Sequence, residues 1–213
     1  MRIVLTRHGQ VEGIDPPRFR GRAELELTPL GRRQAKMVAD TIAMRFKPVA
    51  VYTSPMKRCQ DTGHAIATAC AIPQHVQAGI DDFDYGEWQW MSHADARVQF
   101  PDQYTLWKTA PQWMQFPGGE SLQAVALRTA DALRELLAIH GDDTIVLVAH
   151  DSINRVLLLH ALDMPLSAYW RMAQDPCCLN IIDLDRAGKA NILQINETAH
   201  LASEDSKMGR HQN

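Results

Sequence analysis

The sequence predicts an α/β fold: a three-layer α/β/α sandwich on a mostly parallel central sheet, with a partly helical cap insertion. Three observations carry this reading. Two short runs, Arg2-Ile-Val-Leu-Thr6 and Thr144-Ile-Val-Leu-Val-Ala149, are unbroken and rich in β-branched residues, as strands buried on both faces are. Strand-length runs alternate with segments of helical period along the chain. The two buried runs lead into histidines, through Arg7 to His8 and directly to His150. In open sheets of this class ligands bind beyond the carboxyl ends of the strands, so both imidazoles fall where chemistry is done.

The elements follow in order. Residues 10–27 lack periodicity, contain Pro16, Pro17 and Gly21, and read as a loop. Thr28-Pro29 opens a first helix, with Thr28 as N-cap and proline at the first helical position. Its apolar face is Leu30, Ala35, Val38, Ala39, Ile42 and Ala43, and Pro48 closes it. Val49-Ala-Val-Tyr-Thr53 is a second buried strand. Ser54-Pro55 repeats the cap-and-proline device and opens a helix to about Cys70. Residues 73–80 are expected to be extended, and the acidic stretch Asp81 to Trp88 follows. Residues 88–118 hold four of the five tryptophans and no sustained period, which suits the cap. The cluster Trp88, Trp90, Trp107 and Trp113 reads better as the small core of that cap than as a substrate mouth. Ser121 precedes a long amphipathic helix facing inward with Leu122, Val125, Ala126, Leu133, Leu136 and Leu137, ended by Gly141. Helices from Ser152 to Leu162 and Ser167 to Ala173 come next. A hairpin of 179–184 and 190–195 turns around Gly188.

At 213 residues the chain suits a single domain, 1–201, with the cap insertion at about 88–118 and a polar tail, 202–213, expected to be disordered. A net charge of -3 argues against nonspecific nucleic-acid binding, which rests on basic residues neutralising phosphates. It leaves room for a small anion in a locally basic pocket. No apolar stretch reaches membrane-spanning length, so no membrane partner is expected and a cytoplasmic location is. Cys59, Cys70, Cys177 and Cys178 show no C-x-x-C spacing and read as free thiols. The other histidines show no metal-ligand spacing.

Arg58 falls in the first turn of its helix, where unpaired amides and the dipole already favour an anion. A guanidinium there adds a fork for two phosphate oxygens, whereas Lys57 beside it suits a solvated surface. Arg7-His8-Gly9 alone is a weak signal, and its place at a strand end raises it.

Several pieces now combine: Arg7-His8-Gly9-Gln10, Arg18-Phe19-Arg20-Gly21, Leu27-Thr-Pro-Leu-Gly31, Thr53-Ser-Pro-Met-Lys-Arg58, Asp82 to Trp88, Phe116-Pro-Gly-Gly-Glu-Ser121, Val148-Ala-His150 and Asn196-Glu-Thr-Ala-His200. In this order the chain resembles the histidine phosphatase superfamily, in the branch that includes the cofactor-dependent phosphoglycerate mutases. The resemblance covers nearly the whole chain. It implies that His8 is a nucleophile forming a phosphohistidine, with Arg7, Arg58 and His150 around the phosphoryl group. It implies further substrate contacts at Gln10, Arg20 and Gly21, and no metal or cofactor.

The same resemblance places a general acid four residues before the glycine of a G-x-W motif. Counting back from Gly86 gives Asp82. In an extended segment Asp81 points to the opposite face, and Asp84 shares the face of Asp82 but lies roughly 7 Å further along. Three positions depart from the family pattern. Ile14 stands where asparagine is common, and Asp151 where glycine usually follows the second histidine. Gln89-Trp90-Met91 replaces the commoner continuation after Trp88. A carboxylate at 151 would repel phosphate unless Arg155, Asn154 or another group turns it away.

The resemblance thus implies a histidine acid phosphatase-type phosphoric monoester hydrolase acting on a small phosphorylated metabolite without metal. The sequence does not name the ester: sugar phosphates, phosphoglycerates, nucleotide-derived monoesters and α-ribazole phosphate all fit what the resemblance implies. The alternatives are a phosphoglycerate mutase and a noncatalytic phosphoanion-binding protein on the same fold. The oligomeric state stays open, a homodimer included.

Overall fold

The computed structural model describes residues 1–202. The expectation of a disordered tail therefore lies outside the described residues, apart from Ala202. One six-stranded sheet organises the chain. It is built from β1 (Arg2–Arg7), β2 (Ala50–Thr53), β3 (Gln74–Val76), β4 (Thr144–Ala149), β5 (Leu179–Leu184) and β6 (Ala190–Glu197) in the order β3-β2-β4-β1-β5-β6. The first four strands in that order run parallel, and the β5–β6 hairpin adds antiparallel to β1.

Alternation across the strands assigns each face its helices. Val4, Val51, Val146, Val148 and Ile181 pack with Val38, Ala39 and Ile42 of α1 (Pro29–Arg45) and with Cys59 and Ile66 of α2 (Lys57–Cys70). Ile3, Leu5, Ile145, Leu147 and Ile182 face the other layer. There they meet Leu133 and Leu136, then Ile153 and Leu157. Between α2 and the helices that carry these pairs, residues 88–118 hold α3 (His93–Gln99) and α4 (Pro101–Thr109). The second layer itself is α5 (Leu122–His140) and α6 (Asp151–Ala161).

Local chemistry accounts for most boundaries. Thr28 Oγ1 accepts the Gly31 amide at 3.0 Å, Pro29 takes the first helical position, and α1 begins there. Ser121 caps α5 through the Ala124 amide, and Gly141 at φ +56 closes it. Four details differ from expectation. Ala43 is exposed, and Gln34 and Gly31 are buried on α1 instead. Ser54-Pro55 does not cap α2, which starts at Lys57 after Met56; the Ser54 hydroxyl accepts the Met56 amide and otherwise faces His150. Only Gln74–Val76 of 73–80 is extended, and Ala78–Ile80 makes a 3₁₀ turn. Residues Leu166–Arg171 likewise form a 3₁₀ turn rather than an α-helix. Trp88 and Trp107 are buried among Phe83, Phe100 and Phe116, so they serve as core, whereas Trp113 is exposed. Among the described residues no helix is long and apolar enough to cross a membrane.

Candidate active site

The register of the sheet brings the two histidines together. Arg7 pairs with Ala149 across β1 and β4, and the His8 amide donates to Ala149 O at 3.0 Å. Their rings meet edge to face with centroids 5.3 Å apart, and both are buried. Glycine at 9 and 31 lets the backbone after His8 lie directly against α1, where any side chain would collide.

Hydrogen-bond partners set the state of His8. Its Nδ1 lies 2.7 Å from Gly9 O, a group that only accepts, so Nδ1 carries the proton. The Nε2 lone pair is left free. Burial first, then Arg58, His150 and Arg7, hold this imidazole well below the ordinary histidine range, which keeps it neutral. His150 is held down by burial and by Arg58, Arg7, Arg20 and Arg128.

Around the pair stand the arginines. Arg7 donates from Nη1 to Gln174 O at 2.6 Å. Arg58, fully buried, donates to Ala23 O at 2.7 Å, to Gly21 O at 2.5 Å and to Asp82 Oδ2 at 2.9 Å. Nε of Arg7 and Nε of Arg58 are buried with no hydrogen-bond partner among the described residues. An unpaired buried guanidinium N–H is costly, and a pair of them beside two histidines suits an anion. Arg20 donates to Gly13 O, lines the same cleft, and is pushed down to about 10 by burial and by Arg7.

Asp82 lies in the cleft, and Asp81 and Asp84 turn elsewhere. Asp82 Oδ1 accepts the Ser152 hydroxyl at 2.6 Å and the Phe83 amide at 2.8 Å, and Oδ2 is 3.2 Å from His150 Nδ1. Asp81 Oδ2 and Asp84 Oδ2 pair with Arg22 at 3.3 and 3.4 Å. Gly21 lines the cleft and gives its carbonyl to Arg58. Gln10 is turned to α1: its Oε1 is held by the Thr28 hydroxyl at 2.8 Å, and its backbone amide donates to Gln34 Oε1 at 2.9 Å.

Asp151 does reach the cleft, and Arg155 Nε lies 2.9 Å from its Oδ1 as an ion pair. The Arg155 guanidinium is itself stacked over Tyr169 and Trp170. Sequence reading missed four contributors: Ser54, Ser152, Tyr85 and Arg128. Arg128 donates to Gly79 O, Asp81 O and Asp82 O, so α5 pins the acidic segment by its backbone. The hydroxyls and Arg128 carry no local signal, because their worth depends on what packs opposite them. A larger cavity of about 270 Å³ lies at the other end of the sheet, walled by Ile3, Leu5, Leu147, Leu157 and Ile182. His8, Arg20, Asp82, His150 and Asp151 line the smaller cleft instead, with Arg58 behind it on Asp82. Among the described residues no group of three or more His, Cys, Asp or Glu is arranged to hold a metal.

Comparison with known proteins shows the family. Phosphoserine phosphatase 1 of Hydrogenobacter thermophilus is 29% identical over 201 residues, 94% of each chain. A bifunctional protein of Mycobacterium tuberculosis is 29% identical over 200 residues, and this chain spans about half of its length, 55%. The solved structure of YhfR from Bacillus stearothermophilus superposes with a TM-score of 0.88 at 23% identity, covering 94% of this chain and 98% of that one. The profile of the histidine phosphatase superfamily (branch 1) matches residues 3–198, and the chain belongs to that superfamily.

Proposed function

We propose that the protein is a phosphomonoesterase that passes a phosphoryl group from a small phosphorylated metabolite to His8 and then to water. The observation that carries this is the free Nε2 lone pair of a neutral, buried His8 beside the unpartnered Nε–H groups of Arg7 and Arg58. Phosphoryl transfer asks the protein chiefly to hold the group and to stabilise charge on its equatorial oxygens. Arg7, Arg58 and His150 serve that purpose, with Arg20 as the next cation outward.

In the first step Nε2 of His8 forms a bond to phosphorus as the ester P–O bond breaks. The leaving oxygen takes a proton from Asp82 and departs as an alcohol. In the second step water attacks the phosphohistidine, Asp82 takes its proton, and the N–P bond breaks to release phosphate and restore His8. Pairing of Asp151 with Arg155 supports this over a noncatalytic anion-binding role, since the carboxylate charge beside the cleft is balanced. The named relative supports phosphoserine as a first substrate to try, with phosphoglycerates, sugar phosphates and α-ribazole phosphate beside it.

A phosphate-release screen over these esters, run with EDTA present, tests the proposal. Free phosphate is expected from the wild type with at least one ester. His8→Ala is expected to abolish release while still binding inorganic phosphate. Conversion of 3- to 2-phosphoglycerate without release would favour a mutase, and wild-type activity equal to that of His8→Ala would end the enzyme reading.

A further inference from the structure

Two residues of the stretch Asn196-Glu-Thr-Ala-His200, which the proposed chemistry leaves unused, grip a loop that holds Arg7. The loop, residues 174–178, leads into β5 and meets Arg7 twice. Arg7 Nη1 donates to Gln174 O at 2.6 Å, and the Cys177 amide donates to Arg7 O at 3.0 Å. Asn196 meets the loop with a reciprocal pair of bonds. The Asp175 amide donates to Asn196 Oδ1, and Asn196 Nδ2 donates to Asp175 Oδ2, both at 2.8 Å. His200 Nε2 lies 3.0 Å from Cys177 O, which only accepts, so the imidazole donates. One grip thus falls beside each of the two Arg7 contacts.

A buried pair of carboxamides backs the same loop from inside. Asn180 lies opposite Leu5 in the β1–β5 register, on the face that Ile3 and Ile182 give to the core. An apolar side chain would suit that position; asparagine there is fully buried and has to be paired. Its Nδ2 donates to Gln174 Oε1 at 2.9 Å and to Leu5 O at 3.1 Å. Its Oδ1 accepts Gln174 Nε2 and the Asn196 amide, each at 2.9 Å. Asn154 of α6 adds a bond from Nδ2 to Gln174 Oε1 at 3.1 Å. With every polar atom of the Gln174 and Asn180 carboxamides paired, the network holds the loop stiffly. Cys177 sits at φ +56, where a side chain other than glycine rests only when its surroundings hold it.

We propose that Asn196 and His200 are positioning residues that fix the 174–178 loop and, through Gln174 O, the guanidinium of Arg7 for phosphate. This rests on the reading of Arg7 as a phosphate ligand. Nη1 of Arg7 is committed to Gln174 O, while Nε is buried and unpaired. The guanidinium is planar, so an anchor at one nitrogen sets the direction of the other N–H groups. That anchor is a main-chain carbonyl, and what places it is the grip on the loop rather than the side chain at 174. The end of β6 and the turn after it therefore reach the site by way of Arg7, which separates this role from a general one in folding.

Binding of inorganic phosphate, measured by calorimetry, tests this without requiring turnover. Arg7→Ala is the reference and should weaken phosphate about tenfold or more, as loss of a hydrogen bond to a charged group does. Asn196→Gly keeps the backbone amide and the positive φ but drops the hold on Asp175. It and His200→Leu should each weaken phosphate about threefold or more, a part of what the guanidinium itself supplies. His200→Gln, which keeps a donor toward Cys177 O, should bind as the wild type does. Asn196→Asp sets two carboxylates against each other and should also weaken phosphate. Adding Asp175→Asn should restore it, because a carboxamide then faces a carboxylate again. In an Arg7→Ala background none of these changes should weaken phosphate further. Equal losses with and without Arg7 would overturn the proposal. So would unchanged binding in Asn196→Gly and His200→Leu while Arg7→Ala loses affinity. Undiminished binding in Arg7→Ala would instead overturn the reading of Arg7 itself, so the two failures are distinguishable.

Discussion

Asp151 puts a negative charge at the rim of a cleft proposed to hold a dianion, and one neighbour decides whether that matters. Arg155, four residues along the same helix, meets its carboxylate at 2.9 Å, and the pair is largely shielded from water. Like charges a few ångströms apart interact by about 1 to 4 kcal/mol between the limits of bulk water and a protein surface. Arg155→Met keeps the apolar stem against Tyr169 and Trp170 while removing the balancing charge. Inhibition by inorganic phosphate should weaken about tenfold in this variant, corresponding to ~1.4 kcal/mol. Adding Asp151→Asn should restore it, because the repelling charge is then gone as well. An inhibition constant indifferent to both changes would mean that this ion pair is only structural.

One scale up, α5 acts as the splint for the acidic segment. Arg128 reaches from its first turns to three carbonyls, Gly79 O, Asp81 O and Asp82 O, while Glu120 holds its Nε and Nη2. A shift of about 1 Å in a catalytic group can cost on the order of 10²-fold. Arg128→Leu should therefore lower kcat on alkyl esters by tens of fold or more, with KM changing far less, because the cations proposed to hold phosphate, Arg7 and Arg58, are elsewhere. A matching rise in KM, with kcat preserved, would assign Arg128 to substrate binding instead. Legibility divides along the same line. β1, β4, α1, α5 and the terminal hairpin were readable because their signals are local: β-branched runs, Thr28-Pro29, Ser121, Gly141 and the turn at Gly188. His8, Arg58 and Asp82 were readable as a set because their spacing matches a known family. Ser54 was misread as a helix cap because its sequence context is that of a cap, whereas tertiary contact recruits its hydroxyl to His150. Gln10 was assigned to substrate for its place in a motif, and the Thr28 hydroxyl holds its carboxamide. Arg128 and Ser152 carry no periodic or motif signal, since only folding brings them to Asp82.

For the whole molecule, the same burial that keeps His8 neutral couples stability to pH. Burial is the largest cause of depression at His8, His150, His93 and His200, with His93 lowered to about 4. In the unfolded chain these imidazoles titrate near 6.5. Below that pH the unfolded state binds protons that the folded state refuses, so stability falls as pH falls. The slope is ~1.4 kcal/mol per pH unit for each imidazole kept neutral in the fold. Carboxylates held low in the fold, such as Asp183 beside Arg2, act in the same direction only nearer their own range, below about pH 4. Between pH 7 and 5 the histidines therefore dominate. Urea midpoints measured across this window should drop steadily toward pH 5. His8→Asn combined with His150→Asn should flatten the drop, since two of the refusing groups are removed. A midpoint independent of pH from 7 to 5 would mean that the fold admits the protons, and then neither imidazole would be neutral where phosphoryl transfer needs it. Activity and stability should accordingly part company on acidification. The acid limb of kcat/KM reports the depressed value of folded His8 and lies below 6.5, while stability begins to decline at 6.5, where the unfolded chain first takes up protons.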